Sequence, residues 1–319
     1  MAVVDGWACR SLDLLGATSY SPAVLPAAPT WVEVSQVMPQ GCDCVLQADL
    51  VDRSTPLIQA IDEVPPGYGV RRAGEDVAKG SPLTIEGRII GPADILLARK
   101  AGLATISVRI PKVAIIDIRS DDEYDFTTLL IGDALRGLGA TVSVAMTGSR
   151  DPGAVTAALK RETCDLLLLI GGTGEGHGDG TAAALATHDA LIAHGIALRP
   201  GTTSAIGRVD RVPVIALPGL PDQAFGGLLA LVRPVLERLS GRSRPKDMSL
   251  PLARKIASTV GLCEVVLLEM QERCWMPLAV GDFSLDAMRR ADAWVAVPGT
   301  SEGYATGALV AATLLHDLS

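Results

Sequence analysis

The sequence predicts an α/β protein with a central parallel-sheet domain, a small β-rich domain before it and a small β domain after it. Three observations predict this. The 319 residues are 48% hydrophobic but only 3% aromatic, so the core is built from Ala, Val, Leu and Ile, the residues of buried parallel strands under helices. From Lys112 onward apolar runs alternate with helical patterns, the rhythm of a parallel sheet with right-handed crossovers. On either side of that stretch the runs are short and separated by Gly- and Pro-rich turns. At roughly 100–200 residues per domain, the natural divisions are 1–110, 111–243 and 247–319.

Residues 1–20 form a lead-in. Between 30 and 110 the β-like runs are Trp31–Val34, Cys44–Leu46 and Leu57–Ile58, broken by Pro65-Pro66-Gly67 and Gly74-Glu75. Pro92–Lys100 reads as a helix, with Pro at the first position and Gly102 near the stop. In the central stretch Val113–Ile116 is a strand run and 125–138 a helix ending at Gly139. Thr141–Ala145 is a second strand, and 152–162 a second helix with Asp151 as candidate N-cap. Asp165–Ile170 is a third strand and runs straight into Gly171-Gly172. A helix over 180–194, a strand near 196–198, the strand Val214–Leu217 and a helix over 222–239 complete the domain. Gly241-Arg242-Ser243-Arg244-Pro245 is a polar linker. Beyond it lie the runs Val265–Leu268, Ala293–Val297 and Ala308–Ala312.

Composition excludes several functions. A net charge of −8 leaves no basic footprint for duplex nucleic acid, so no nucleic-acid partner is expected. Apolar runs fall short of the ~20 residues of a membrane helix, and Asp5 and Arg10 interrupt any N-terminal signal pattern. A soluble chain with no membrane partner is expected. None of the six cysteines, Cys9, Cys42, Cys44, Cys164, Cys263 and Cys274, forms a C-x-x-C pair. They read as free thiols in a reducing, cytoplasmic compartment. A small anion remains a possible ligand, because backbone N–H groups hold it whatever the net charge.

The strongest local signal is Gly171-Gly172-Thr173-Gly174-Glu175-Gly176-His177-Gly178-Asp179, with five glycines in eight residues between an apolar strand and a helix. In a doubly wound sheet, ligands bind beyond the C-terminal ends of strands. Glycines let the backbone approach an anion, and a helix N-terminus adds N–H donors. No Lys follows as in a nucleotide P-loop, and the loop closes the third strand of its unit, unlike a dinucleotide fingerprint. Alone it reads as an anion-binding turn or as a flexible one. Arg199-Pro200-Gly201-Thr202-Thr203-Ser204 offers a bidentate phosphate donor in Arg199, or a surface arginine after a strand. Leu217-Pro218-Gly219-Leu220-Pro221 is a rigid turn at a strand end.

In order, these three loops resemble the Gly-Gly-x-Gly/Ser-x-Gly-x-x-Asp, Lys/Arg-Pro-Gly and Leu-Pro-Gly-x-Pro segments of the molybdopterin molybdenumtransferase family, the molybdenum insertases that include the E domain of gephyrin. Asp5-Gly6-Trp7-Ala8-Cys9-Arg10 resembles the family's Met-Asp-Gly-Tyr-Ala-Val-Arg, and Met38–Val45 its Leu-Pro-x-Gly-Ala-Asp-Ala-Val. Gly67–Asp76 resembles its Gly-x-Asn-Val-Arg-x-x-Gly-Glu-Asp. The resemblance spans nearly the whole chain. It implies a molybdopterin-binding central domain, a β-barrel-like C-terminal domain and a homodimer. It implies insertion of molybdate into adenylylated molybdopterin with release of AMP, in a Mg²⁺-dependent step whose metal is held by carboxylates. The pterin-binding positions would be Gly171, Gly172, Thr173, Gly174, Glu175, Gly176, Arg199, Pro200, Gly201, Ser204, Pro218, Gly219 and Pro221. Asp5 and Asp179 match acidic positions of the family, both as catalytic groups and Asp179 also as metal ligand; a carboxylate at Asp179 also suits a helix cap.

The departures bear on activity. The family's Ser-Thr-Gly-Asp-Glu-Leu is replaced by Asp117-Ile118-Arg119-Ser120-Asp121-Asp122-Glu123. Asp122 as metal ligand or Glu123 as catalytic acid stands in for the lost residue, or Asp121–Glu123 serve only as charges at the next helix start. The family's aspartate pair before the second helix reads Arg150-Asp151, leaving Asp151 as the one acid. The lysines of Lys-Pro-Gly-Lys-Pro are Arg199 and Thr202, and the family's Thr-Gly-Ala stretch becomes Val34-Ser35-Gln36-Val37. The chain starts at Met1, so the helical segment that precedes Met-Asp-Gly in the family is expected to be missing. Two functions follow: a transferase of molybdenum cofactor biosynthesis, or a non-catalytic molybdopterin or cofactor carrier assisting a molybdoenzyme partner. Losing metal-site carboxylates lowers turnover more than affinity, because binding rests largely on backbone N–H groups.

Overall fold

The computed structural model describes residues 1–54, 56–119, 126–159, 163–176, 178–187, 189–243 and 247–315. The chain packs as two compact units, 1–84 with 91–104, and 85–90 with 105–319.

In the first unit Gly6–Cys9 pairs antiparallel with Thr30–Val32 on one side and Cys44–Leu46 on the other. Alternation sends Cys9, Cys44 and Leu46 into one core and Ala8, Val32 and Val45 into another, so this small sheet is covered on both faces. A second sheet joins Ala23–Val24, Gln59–Ala60 and Val51–Asp52. The family-like segments hold themselves together. Asp43 accepts from the Ser11 N–H at 2.7 Å and its hydroxyl at 2.8 Å. Asp76 pairs with Arg71 at 3.4 Å and Lys100 at 3.3 Å. Helix Pro92–Lys100 forms as predicted, and Asp94 Oδ2 accepts the Gly91 N–H at 2.8 Å at its start.

The second unit carries a six-stranded sheet in the order Leu191–His194, Ala205–Val209, Val212–Leu217, Leu166–Ile170, Lys112–Asp117, Thr141–Met146. The last four strands are parallel, as predicted, and the first two join antiparallel. Asp210-Arg211 turns the chain between Val209 and Val212. Leu166–Ile170 is buried along its whole length. Its alternate residues feed a core under Leu135, Phe225 and Leu229 on one face and under Val155 and Leu185 on the other.

Two predicted helices are corrected. The helix expected over 180–194 is Thr181–Thr187, and Leu191–His194 becomes an edge strand instead. Its backbone groups pair with Ala205–Val209, a long-range partner that overrides the local helical pattern. The helix over 222–239 is three pieces: Pro221–Gly227, a π turn Leu228–Val232 and Arg233–Ser240. Pro234 lacks an N–H and its ring clashes with the carbonyl four residues back, so the helix widens just before it. The strand near 196–198 is Leu198–Arg199, and it pairs parallel with the C-terminal strand Cys263–Gln271 rather than with the central sheet.

The C-terminal sheet runs Leu198–Arg199, Cys263–Gln271, Ala293–Val297, Leu309–Leu314, Met248–Pro251, with Cys274–Val280 hairpinned onto Cys263–Gln271. Leu252 bridges to Trp275, so the sheet curls toward a barrel-like form. The buried Trp275 indole N–H donates to the carbonyls of Met248 at 3.3 Å and Val310 at 3.2 Å. Among the described residues no helix is long and apolar enough to cross a membrane.

Candidate functional site

Three loops meet beyond the C-terminal ends of strands Leu166–Ile170 and Val212–Leu217. The Gly171 N–H donates to the Leu217 carbonyl at 2.9 Å, and a Cβ on Gly219 would stand 3.6 Å from Gly171 Cα, so the glycine loop and the Pro218–Pro221 turn are in contact. Thr173 Oγ1 and Thr203 Oγ1 share a hydrogen bond of 3.1 Å, tying the glycine loop to the Arg199 loop. A Cβ on Gly226 would lie 2.6 Å from the Pro200 carbonyl oxygen, so the Arg199 loop rests on the helix that follows the Pro218–Pro221 turn. The three segments singled out in the sequence are thus brought together.

The glycine loop is built from consecutive peptide units with their carbonyls held. The Gly171 carbonyl accepts the Thr181 hydroxyl at 2.9 Å, the Gly172 carbonyl accepts the Thr181 N–H at 3.1 Å, and the Thr173 carbonyl lies 2.9 Å from His194 Nε2. In a planar trans peptide the N–H points opposite to the carbonyl, so the amides of Gly172, Thr173 and Gly174 are turned the other way. Those amides, and that of Glu175, find no protein acceptor among the described residues. Gly172 is buried and Thr173 is 2% exposed, where an amide without an acceptor is rare. A concave row of such donors binds anions. Gly171 and Gly172 have φ of +97° and +62°, which L side chains rarely adopt. The helix after the loop has only seven residues, so the loop amides, rather than a long helix, supply the donors.

The predicted acids are distributed unevenly. Asp179 does not cap the helix. Its carboxylate turns back into the loop, where Oδ2 accepts the Gly176 N–H at 3.2 Å and stands 2.6 Å from where a Gly174 Cβ would be. Asp151 caps helix Pro152–Leu159, accepting the N–H groups of Gly153 at 3.0 Å and Ala154 at 3.1 Å. Hydrogen bonds from the Ser149 side chain and from those amides hold its carboxyl below the usual range. A Cβ on Gly180 would lie 2.5 Å from the Arg150 carbonyl oxygen, so the end of the glycine loop abuts this helix start. Asp5 lies in the first unit, exposed, with Oδ1 accepting the Val34 N–H at 2.7 Å. Asp122, Glu123 and His177 lie outside the described residues.

Arg199 is held from the C-terminal sheet. Its neighbour in register is Glu264, 4% exposed, whose Oε1 is 3.7 Å from Arg199 Nη1 and whose Oε2 accepts the Thr259 N–H at 2.9 Å. A cavity of about 250 Å³ opens here, lined by Arg199, Pro200, Gly201, Thr202, Asp222, Gln223, Gly281 and Asp282. Ser204 is fully buried beneath the Arg199 loop, between Gly201 and Gly227. Of the Pro218–Pro221 turn, Pro218 is buried and Gly219 exposed, and the Gly219 carbonyl accepts the Thr127 hydroxyl at 2.7 Å. Sequence reasoning missed Thr181, His194 and Glu264, and it gave Thr203, inside a segment it singled out, and Thr127, at a helix start, no role of their own. A helix-start hydroxyl at Thr181 is a weak local signal; His194 and Glu264 carry none.

Comparison with known proteins agrees with this arrangement. Residues 1–102 match the family description "MoeA N-terminal region (domain I and II)", and residues 112–238 match "Probable molybdopterin binding domain". The molybdopterin molybdenumtransferase 2 of Mycobacterium tuberculosis is 27% identical over 282 residues, covering 76% of this chain and 69% of the relative. A molybdopterin biosynthesis protein of Methanocaldococcus jannaschii is 26% identical over 345 residues, covering 98% and 85%. The crystal structure of a molybdopterin biosynthesis MoeA protein from Pyrococcus horikoshii superposes with a TM-score of 0.70 at 26% identity, over 98% of this chain and 87% of that one. The matched regions take in the first unit's paired segments and all three converging loops, and on that ground the chain belongs to the molybdopterin molybdenumtransferase family of molybdenum cofactor biosynthesis.

Proposed function

We propose that this chain binds adenylylated molybdopterin and inserts molybdate into it with release of AMP. The observation that carries the reading is the row of amides at Gly172, Thr173 and Gly174, aimed away from held carbonyls and without a protein acceptor among the described residues. Phosphate oxygens complete such a row. Glu175 extends it and Gly176, whose N–H is taken by Asp179, closes it; the Pro218, Gly219 and Pro221 turn shapes its rim, and Arg199, Pro200 and Gly201, with Ser204 buried beneath them, form the neighbouring wall. Relatives in Mycobacterium tuberculosis and Haemophilus influenzae are named as molybdenumtransferases, which supports the transfer step.

The family implies Mg²⁺. Among the described residues no three metal-ligating side chains gather. Mg²⁺ is commonly held by one or two carboxylates, with water and substrate phosphate oxygens filling the rest of its shell. Asp179, lying within the amide row, fits that donor set, with Asp122 as its proposed second. When bound, the ion neutralises phosphate charge during cleavage of the anhydride. Asp179, Glu123, Asp151 and Asp5 are the acids to substitute. We take the chain to work as a cytoplasmic homodimer that hands its product to a molybdoenzyme; sedimentation equilibrium tests the dimer.

The alternative of a non-catalytic carrier draws on two observations: Asp151 is engaged as a helix cap, and Glu264 partly neutralises Arg199. Incubation with adenylylated molybdopterin, Mg²⁺ and molybdate decides between them. AMP release in wild type and its loss in Asp179→Ala support transfer. Tight binding without AMP release refutes it and leaves the carrier.

A further inference from the structure

We infer that His194 is a positioning residue that aims the third amide of the glycine loop, an inference that rests on reading that loop as the phosphate site. His194 ends the edge strand Leu191–His194 and pairs with Ala205. A register shift between Leu191 and Ala193 interrupts the ladder just before it, and irregularities of this kind re-aim side chains beside functional sites. The ring reaches the loop 21 residues away, with Nε2 2.9 Å from the Thr173 carbonyl oxygen. A carbonyl only accepts, so Nε2 is the donor in this pair.

The Thr173 carbonyl and the Gly174 N–H belong to one planar unit and point in opposite directions. Fixing the carbonyl therefore fixes the amide, and donation to the carbonyl polarises the unit and strengthens the N–H as a donor. The two preceding carbonyls are held by Thr181, at the start of the loop's own helix. The third is held by no residue of the loop or its helix among those described, and glycine at 174 gives that peptide freedom to rotate. A side chain from the sheet edge supplies the missing restraint.

The test is anaerobic titration calorimetry of adenylylated molybdopterin on the full chain, for wild type, His194→Ala, His194→Gln, His194→Asn and Gly174→Val. A Gln amide nitrogen reaches about as far as Nε2 and donates; an Asn amide falls short. His194→Ala and His194→Asn should weaken binding about tenfold, the scale of one hydrogen bond, and His194→Gln should stay within about threefold of wild type. Thermal midpoints should hardly move, because His194 is exposed. Rescue by Gln but not Asn is an outcome that a merely structural histidine does not produce. Wild-type affinity in His194→Ala, or a His194→Gln variant as weak as His194→Ala, overturns the role. No binding by wild type, or undisturbed binding in Gly174→Val, overturns instead the reading of the loop.

Discussion

Substituting Gly172 by alanine tests the loop most directly. Gly172 has φ of +62°, and its new methyl would stand 2.7 Å from Thr181 Oγ1 and 3.1 Å from Ile118 Cγ2. The left-handed conformation costs an L residue roughly 1–2 kcal/mol. Relieving the clash moves the Thr181 hydroxyl off the Gly171 carbonyl, a 2.9 Å bond with a net value of roughly 0.5–1.5 kcal/mol. Gly172→Ala should therefore destabilise the second unit by about 2–3 kcal/mol, a fall in Tm of roughly 4–12 °C for a unit of this size. The released Gly171 carbonyl shares its peptide with the Gly172 N–H, so affinity for adenylylated molybdopterin should fall as well. Scanning calorimetry reads the first effect and ligand titration the second. A variant with a Tm within about 1 °C of wild type and unchanged affinity would refute the geometry and the role assigned to it.

Two further outcomes follow. Burial pushes the Asp43 carboxyl up, but hydrogen bonds from the Ser11 N–H and hydroxyl outweigh it and hold it below the usual range. Its folded value lies under the unfolded ~3.9, so its stabilisation is complete above about pH 4 and is lost as pH falls through the folded value; Asp43→Asn should flatten the acid limb of urea-unfolding stability, and an unchanged limb contradicts the assignment. Burial first, then the Cys42 and Asp13 charges, raise the Cys9 thiol to about 11, while burial followed by Asp43 and Cys9 raises Cys44 to about 12. Neither should react with an aromatic disulfide reagent at pH 8 until the chain unfolds, and rapid labelling of either in the folded protein contradicts this.

Much of the central domain was legible in the sequence because its signals are local. Leu166–Ile170 is buried on both faces, so it reads as an unbroken apolar run; Asp151 announces its helix because a cap acts within three residues. Leu191–His194 was not legible, because whether this short run becomes helix or strand depends on the distant edge of Ala205–Val209. Ala205–Val209 and Cys274–Val280 went unread for a related reason, each carrying a glycine or proline that blurs its alternation. At the site the glycines and the Pro-Gly turn stand out as backbone chemistry. The groups that hold them do not, since Thr127, His194 and Glu264 meet their partners only after the chain has folded.

Leu198 and Arg199 belong by sequence to the central domain and by hydrogen bonding to the C-terminal sheet. Dissecting the chain at Gly241–Ser243 would strip Cys263–Gln271 of its parallel neighbour and leave Glu264, 4% exposed, without its cation, an arrangement that strongly destabilises a fold. The same cut would free the Arg199 loop from the strand that sets its direction. The C-terminal portion is therefore not an interchangeable module: a chimera exchanging it between relatives must carry the residue facing Glu264 along with it, or inherit a mismatched seam beside the Arg199 loop.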